Sequence, residues 1–594
     1  MLGISCDYHD AAAALVVEGE IVAAAEEERF TRRKHDASVP VHAIDACLRV
    51  AGLGPDDVDA VAFYERPATL VERYVAARRR QGPSGAASFA RDLPRLVSQN
   101  LLVAYRIERE LRRLGATRRP AFHYVEHHRS HAAAAFLASP FERAAVLTVD
   151  GLGEWVTTSV GRGVGHRLEV FEELRYPDSL GLLYSFVTAW CGFEPNDGEY
   201  KLMGLAPYGV PRFAPALAEL AELADDGSVR VRAERLGWYR WSTGGRRRLR
   251  RAFEGPPRRP DEPLTQRDAD LAASVQALTE DAVLRLARHA ADRTGEERLC
   301  LAGGVALNCV ANGRVLREGP FRELWIQPAA GDAGSSVGAA LHLWHEVLGH
   351  ERVVRPDPMS GGFLGPAATP EEVHAWLERS GVPHRRIPEE DRRCRHVAER
   401  LADGAVVGWY RGRMEFGPRA LGHRSILADP RSPVAREHLN ARVKGREGFR
   451  PFAPAVLAEH AADWFDLDHT SPYMLLVAPV RAEHRRTPEH EPTALAERAA
   501  LPRSTIPACT HVDGSARVQT VEAASNPAMH GVLAAFHGLT GCPVLLNTSF
   551  NVAGEPIVAT PDHALDTARR ARLDLLVVED CLVHLDDGRP VPAP

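Results

Sequence analysis

The sequence has no C-x-x-C pair, and its nine cysteines, an odd number, are scattered from Cys6 to Cys581. This argues against a disulfide framework and a zinc finger, and for a reducing, cytoplasmic setting. No stretch is long and apolar enough to span a bilayer. The start, Met1-Leu-Gly-Ile-Ser-Cys-Asp, has no basic n-region, so no signal peptide is expected. Positive charge is not in excess either: 73 Lys and Arg against 79 Asp and Glu leave a formal net charge of −6. That balance removes the global electrostatic case for binding nucleic acid or a membrane.

What is present is enough chain, 594 residues, for two large domains or for one with heavy insertions. A strand at Leu2–Ser5 leads through the polar turn Cys6–Asp10 into strands at Ala11–Val17 and Ile21–Ala25. His9 and Asp10 lie in that turn, which in actin-like sugar-kinase folds faces nucleotide phosphates. The charged run Glu26–Glu28, Arg29 and Arg32–His35 reads as a solvated face. Arg-rich amphipathic helices over Ala68–Leu114 read as a covering layer.

A strand at Ala121–Val125 then delivers Glu126-His-His-Arg-Ser-His131, followed by four alanines. If the implied helix starts at or before His127, then His127 and His131 share one face, and two imidazoles so placed can grip a divalent metal. His123 has the same spacing to His127 but lies in the strand. Two aspartates end other strands: Asp150 after Ala144–Val149, and Asp332 after Glu323–Gln327. Acidic residues at strand ends are well placed to meet a ligand or metal. Lys201, after a Gly-Glu-Tyr turn, could meet phosphate or carboxylate. Gly303 and Gly304 follow the strand Leu299–Ala302 and run on to Asn308, a pattern that lets backbone N–H groups approach a nucleotide. The basic run Gly244–Arg251 reads as a solvated helix or loop.

Residues 351–366, rich in Pro and Gly, read as a linker between domains at 1–350 and 367–594. Between Arg411 and Arg450 basic residues far outnumber acids and are interleaved with Gly, Pro and Phe. They include Arg413, Arg419, Lys444, Arg446 and Arg450. That is the composition of a loop-built pocket for polyanions. Ser515 and Arg517 lie near a turn in Ile506–Val521. Asn547, Ser549 and Asn551 lie in a polar loop after the strand Pro543–Leu546.

Taken together, YHDAAAAL, AAAEEERFTRRKHD, HHRSHAA, LTVDGLGE, DGEYKLMGLAPYG, LAGGVALN, GRMEFGPRALGHRSILADPR, KGREGFRPFAP, THVDGSARVQTV and LLNTSFNVAGEPIV are highly specific. The chain resembles, nearly end to end, the O-carbamoyltransferases of antibiotic and nodulation-factor biosynthesis. The resemblance implies an α/β protein, an actin-like duplicated domain followed by a YrdC-like twisted-sheet domain. The C-terminal domain is expected to make carbamoyl adenylate from carbamoyl phosphate and ATP with Mg²⁺, releasing pyrophosphate. Arg419 and Lys444 are its expected catalytic groups, with Arg413, Arg446, Arg450, Ser515, Arg517, Asn547, Ser549 and Asn551 binding the nucleotide. The N-terminal domain is expected to pass the carbamoyl group to a hydroxyl of a small molecule. There Lys201, Gly303, Gly304 and Asn308 are expected at the adenylate, and His9 with Asp10 at the transferred proton. The metal is iron in look-alike enzymes, and the ligands carried over by motif are His127, His131, Asp150 and Asp332. Two imidazoles and two carboxylates by themselves admit iron(II), manganese or zinc. The rival readings are a tRNA threonylcarbamoyl-type enzyme, which the mild acidity disfavours, and a non-catalytic nucleotide-binding scaffold, which the polar loops in both halves disfavour. A hydrogenase-maturation carbamoyltransferase would need zinc cysteines that the sequence lacks.

Overall fold

The computed structural model describes residues 1–79, 83–236, 243–445 and 447–585. It divides into two units: Met1–Glu27 with His35–Met359, and Glu28–Lys34 with Ser360–Pro594. The break after Met359 lies inside the Pro- and Gly-rich stretch. The charged run near residue 30, read as a solvated face, is exposed only at Arg33 and Lys34. Glu27 is buried and accepts the N–H of Ala43 at 2.9 Å, capping the helix Val41–Ala51. Arg29 is 2% exposed and donates to the Gly417 carbonyl at 2.7 Å. Arg32 donates to the carbonyls of Ile557 and Pro556 at 2.6 and 2.8 Å. The segment 28–34 therefore belongs to the second unit because its arginines satisfy carbonyls there.

The first unit contains two five-stranded sheets with the same wiring. Strands β1 (Leu2–Ser5), β2 (Ala12–Val17), β3 (Glu20–Glu26), β4 (Ala60–Phe63) and β5 (Ala121–Tyr124) lie in the order β3-β2-β1-β4-β5. Strands β6 (Arg143–Val149), β7 (Val156–Val164) and β8 (Arg167–Arg175) begin the second sheet. A small hairpin, β9 (Ala221–Leu223) and β10 (Val229–Val231), precedes its last two strands, β11 (Arg298–Ala302) and β12 (Glu323–Ile326). The second order is β12-β11-β6-β7-β8. In each sheet three antiparallel strands are followed by two that join in parallel, through crossovers that contain helices. This is the duplicated actin-like arrangement. Covered strands carry unbroken apolar runs such as Ala12–Leu15, all buried.

The duplication positions the site. The fifth strand of each sheet is followed by a helix: His127–Phe136 after β5 and Asp332–His342 after β12. The two helices pack on each other, and they are nearly all small residues at the contact. A Cβ on Gly338 would collide with the Ser130 carbonyl, and one on Gly3 of β1 with the Ser336 carbonyl. Only glycine permits this approach. It brings the amino ends of both helices together at the carboxyl ends of β5, β6 and β12.

The second unit is α/β, built on one nine-stranded mixed sheet. Its strands are β13 (Arg385–Arg386), β14 (Val407–Tyr410), β15 (Arg424–Ala428), β16 (Ala453–Leu457), β17 (Leu476–Pro479), β18 (Ser515–Val521), β19 (Val544–Ser549), β20 (Leu575–Val578) and β21 (Cys581–His584). They lie in the order β13-β21-β20-β14-β15-β19-β16-β18-β17. Only β14/β20 and β16/β18 pair in parallel. Asn547 and Ser549, expected in a loop, are the last residues of β19, because that strand keeps pairing with β15 as far as Ser549. Among the described residues no helix is long and apolar enough to cross a membrane.

Candidate active site

His127 and His131 do share a helix face, and both are buried, as are Asp150 and Asp332. One ligand atom from each of the four lies within 4.8 Å of the others. The two Nε2 atoms are 3.1 Å apart. Asp150 Oδ2 is 3.2 Å from His127 Nε2 and 3.9 Å from His131 Nε2. Asp332 Oδ1 is 3.6 and 3.4 Å from the same atoms. Donors held about 2.0–2.2 Å from a first-row ion stand roughly 3.0–3.5 Å from one another, so the four fit a single ion. Their supports fit as well. The Gly304 N–H donates to Asp150 Oδ1 at 2.7 Å, leaving Oδ2 toward the histidines. Ser335 Oγ is 3.2 Å from His131 Nδ1, which orients that ring. Glu154 accepts the backbone N–H of His127 at 3.1 Å, capping the helix that carries both imidazoles.

The electrostatics call for a cation. Burial alone would lower the His127 pKa, but Asp332 and Asp150 outweigh it and raise it to about 10. Burial would raise the Asp150 pKa, yet the His127 hydrogen bond and the charges of His131 and His127 hold it well below the usual carboxylate range. Two buried carboxylates thus keep a positive charge between the imidazoles, a proton or a metal.

Next to this cluster runs a line of alternating acids and bases. His9 Nε2 is 3.8 Å from Asp332 Oδ2, and His9 Nδ1 donates to Asp10 Oδ2 at 2.9 Å. Asp10 Oδ1 is 2.7 Å from His35 Nδ1, and His35 Nε2 is 3.2 Å from Asp197 Oδ1. Asp197 in turn holds Lys201 Nζ at 3.3 Å. Asp7 and Asp10 turn the chain with left-handed φ of 79° and 50°, which aspartate tolerates better than most residues. Arg106 of the helix Val103–Arg113 holds Asp7 at 2.7 and 2.8 Å.

Other expected contacts are already spent inside the fold. Lys201 follows no flexible turn; it lies in the helix Glu199–Leu205. The Gly304 N–H serves Asp150. Gly303 only turns the chain there, with φ 94°, and its own N–H donates to the Ala330 carbonyl. Asn308 Oδ1 caps the helix Cys309–Glu318, and its amide pairs with Gln276 at 3.0 Å.

The basic stretch of the second unit disperses in the same way. Arg411 pairs with Glu390 at 2.9 Å and Arg431 with Asp429 at 2.6 Å. Arg413 donates to the carbonyls of Leu364 and Gly365 at 2.6 and 3.0 Å. Arg424, fully buried, donates to the carbonyls of Arg411, Gly412 and His423 and lies 3.6 Å over the Tyr410 ring. Arg450 is 3.7 Å from Glu447. Arg446 lies outside the described residues. Ser515 Oγ donates to Asp513 at 2.7 Å; Arg517 and Arg419 are half-buried.

Lys444 is different. Its Nζ donates to the Ser549 carbonyl at 2.6 Å, the Asn551 carbonyl at 3.0 Å and Asn551 Oδ1 at 2.7 Å, with Ser549 Oγ at 3.2 Å. These bonds orient the ammonium. Three expected residues, Lys444, Ser549 and Asn551, are thereby joined. Asn547, two positions up β19, is buried and holds Gln519 Oε1 at 2.7 Å.

Residues 1–341 match the family model for the carbamoyltransferase N-terminus, and residues 398–584 that for the carbamoyltransferase C-terminus. The chain belongs to the carbamoyltransferase family. It is 49% identical over 592 residues to the Synechocystis sp. protein sll1178, covering 98% of this chain and 96% of that one. It is 40% identical over 592 residues to nodulation protein NolNO of Sinorhizobium fredii, covering 98% and 80%. The 3'-hydroxymethylcephem-O-carbamoyltransferase of Amycolatopsis lactamdurans is 35% identical over 260 residues, 44% of each chain.

For this carbamoyltransferase, sequence reading missed His35, Asp197, Glu154 and Ser335 as partners of the site. One signal was available for the two lysines. Of 73 basic residues only three, Lys34, Lys201 and Lys444, are lysine. An ammonium is compact where a guanidinium is a planar fork, so the two lysines that stand away from the exposed Lys34 were worth singling out.

Proposed function

We propose that the chain is an ATP-dependent O-carbamoyltransferase that works in two steps. In the second unit, carbamoyl phosphate, ATP and water give carbamoyl adenylate, phosphate and pyrophosphate. In the first unit, the carbamoyl group passes to a hydroxyl of a small molecule, and AMP leaves. The observation that carries this reading is the meeting of His127, His131, Asp150 and Asp332 beside the His9–Asp10 pair, in a chain of this family.

For the first step, bringing two polyanions together is costly, and Lys444, oriented by Ser549 and Asn551, with Arg419, offsets the repulsion. Mg²⁺ accompanies ATP. For the second step, the four ligands would hold a divalent ion such as iron(II), manganese or zinc, which supplies Lewis-acid polarisation of a carbonyl oxygen when bound. His9 takes the proton of the attacking hydroxyl, held by Asp10, which His35 holds in turn. Burial lowers the His9 pKa, but the Asp10 hydrogen bond and the Asp332 charge raise it to about 9. A cavity of about 310 Å³ lined by Thr69, Glu72, His128, Glu154, Trp155 and Glu173, among others, suits a polyhydroxylated acceptor.

His9→Asn separates the steps. Carbamoyl-phosphate-dependent ATP–pyrophosphate exchange is expected to stay within about twofold of wild type, while transfer to a hydroxylated acceptor falls about 10²–10⁴-fold. Transfer at the normal rate would remove His9 from the role, and absence of exchange in the wild type would remove the adenylate.

A further inference from the structure

Away from the first unit's centre, the second unit gathers another set of metal-binding atoms, which the proposed reaction does not use. His374 on the helix Pro370–Arg379, His384 just before β13 and Cys581 at the start of β21 each bring one donor atom within 4.8 Å of the others. The sheet makes this meeting. Arg386 of β13 pairs with Cys581 of β21, and His384 lies two residues before Arg386, the spacing that returns a side chain to the same side of an extended chain.

The rings are oriented for it. His384 Nδ1 is 2.9 Å from the Val382 carbonyl, which can only accept, so Nδ1 carries the proton and Nε2 offers a lone pair. That lone pair faces His374 Nδ1 at 3.0 Å, with the rings T-shaped. Behind His374, its Nε2 is 3.8 Å from Glu378 Oε1. A carbonyl behind one imidazole and a carboxylate behind the other are the outer supports that metal-bound histidines use. Cys581 is buried while both histidines are half-buried, so the histidine side is the one solvent reaches, and water from there would be the fourth ligand.

We propose that His374, His384 and Cys581 form a second metal site, for a thiophilic divalent cation of the zinc class. The sulfur donor separates it from the nitrogen and oxygen centre of the first unit. On binding, the Cys581 thiol gives its proton to solvent as the sulfur–metal bond forms. The ion ties the helix Pro370–Arg379 to β13, the two-residue edge strand of the nine-stranded sheet.

The test uses the full chain, stripped with a chelator under reducing conditions and titrated with Co²⁺. A thiolate-to-cobalt charge-transfer band in the near ultraviolet should saturate within two equivalents, since the first unit's centre also takes up the ion, be bleached by Zn²⁺, and vanish in Cys581→Ser. His374→Gln, at a half-exposed position, should bind at least about tenfold more weakly. His131→Ala should leave the band unchanged, because no sulfur serves the other centre. No band in the wild type would reduce the cluster to a His–His hydrogen bond. A band that persists in Cys581→Ser, or at full affinity in His374→Gln, would also overturn the site, and the latter decides if Cys581→Ser fails to fold.

Discussion

The first unit's proposed metal centre and the second unit's basic stretch gather charge in opposite ways. Four candidate ligands spread from His127 to Asp332 converge, and two carboxylates favour a positive charge between two imidazoles. In the second unit, basic residues crowded between Arg411 and Arg450 disperse: Arg411 and Arg431 go to carboxylates, Arg413 and Arg424 to carbonyls. Density in sequence is therefore a poor guide to a site. What matters is which side chains the fold brings together around the charge.

The comparison can be broken most sharply at Lys444. Lys444→Met or Arg419→Ala should lower carbamoyl-phosphate-dependent ATP–pyrophosphate exchange by about 10³-fold or more, whereas Arg431→Ala, whose partner is Asp429, should change it by less than about threefold. Equal losses in all three would restore the stretch as one pocket. In the first unit, Asp332→Asn should weaken metal binding by more than about 100-fold, read by metal analysis after dialysis, and Ser335→Ala, which loosens only His131, by about tenfold.

The smallest effect is in the pH dependence of stability, and it has opposite signs in the two units. His127 has a folded pKa of about 10, above its unfolded value, so in the metal-free chain its contribution is complete below about pH 6.5 and is lost as pH rises toward 10. His423, stacked on Phe363, is lowered to about 4, first by burial. It stays neutral when folded, so its contribution is lost as pH falls from about 6.5 toward 4. Thermal melts of the metal-free chain should fall on both sides of neutrality, and added metal should remove only the alkaline loss. A melt that metal protects equally at both ends would sink this assignment.

Much of the framework was legible in the sequence. Apolar runs ending in Asp150 and Asp332, and imidazoles four apart on an alanine-rich helix, marked the strands, the helix and the candidate ligands. The partners were not. His35 looked like part of a solvated run, yet it holds Asp10; Arg29 looked exposed and is buried. A charged residue's surroundings come from distant segments, and local pattern carries no record of them.

The sequence by itself determined the family, through motifs spread along nearly the whole chain, and the local periodicities from which the sheets are built. Only the tertiary structure decided which charges are cancelled. It joined His9 to Asp332, joined Lys444 to Ser549 and Asn551, and brought His374, His384 and Cys581 together although no local spacing announces them. The physical reason is that strand pairing and glycine-permitted helix contact fix which side chains meet, and electrostatic interactions depend on distance in space, not along the chain.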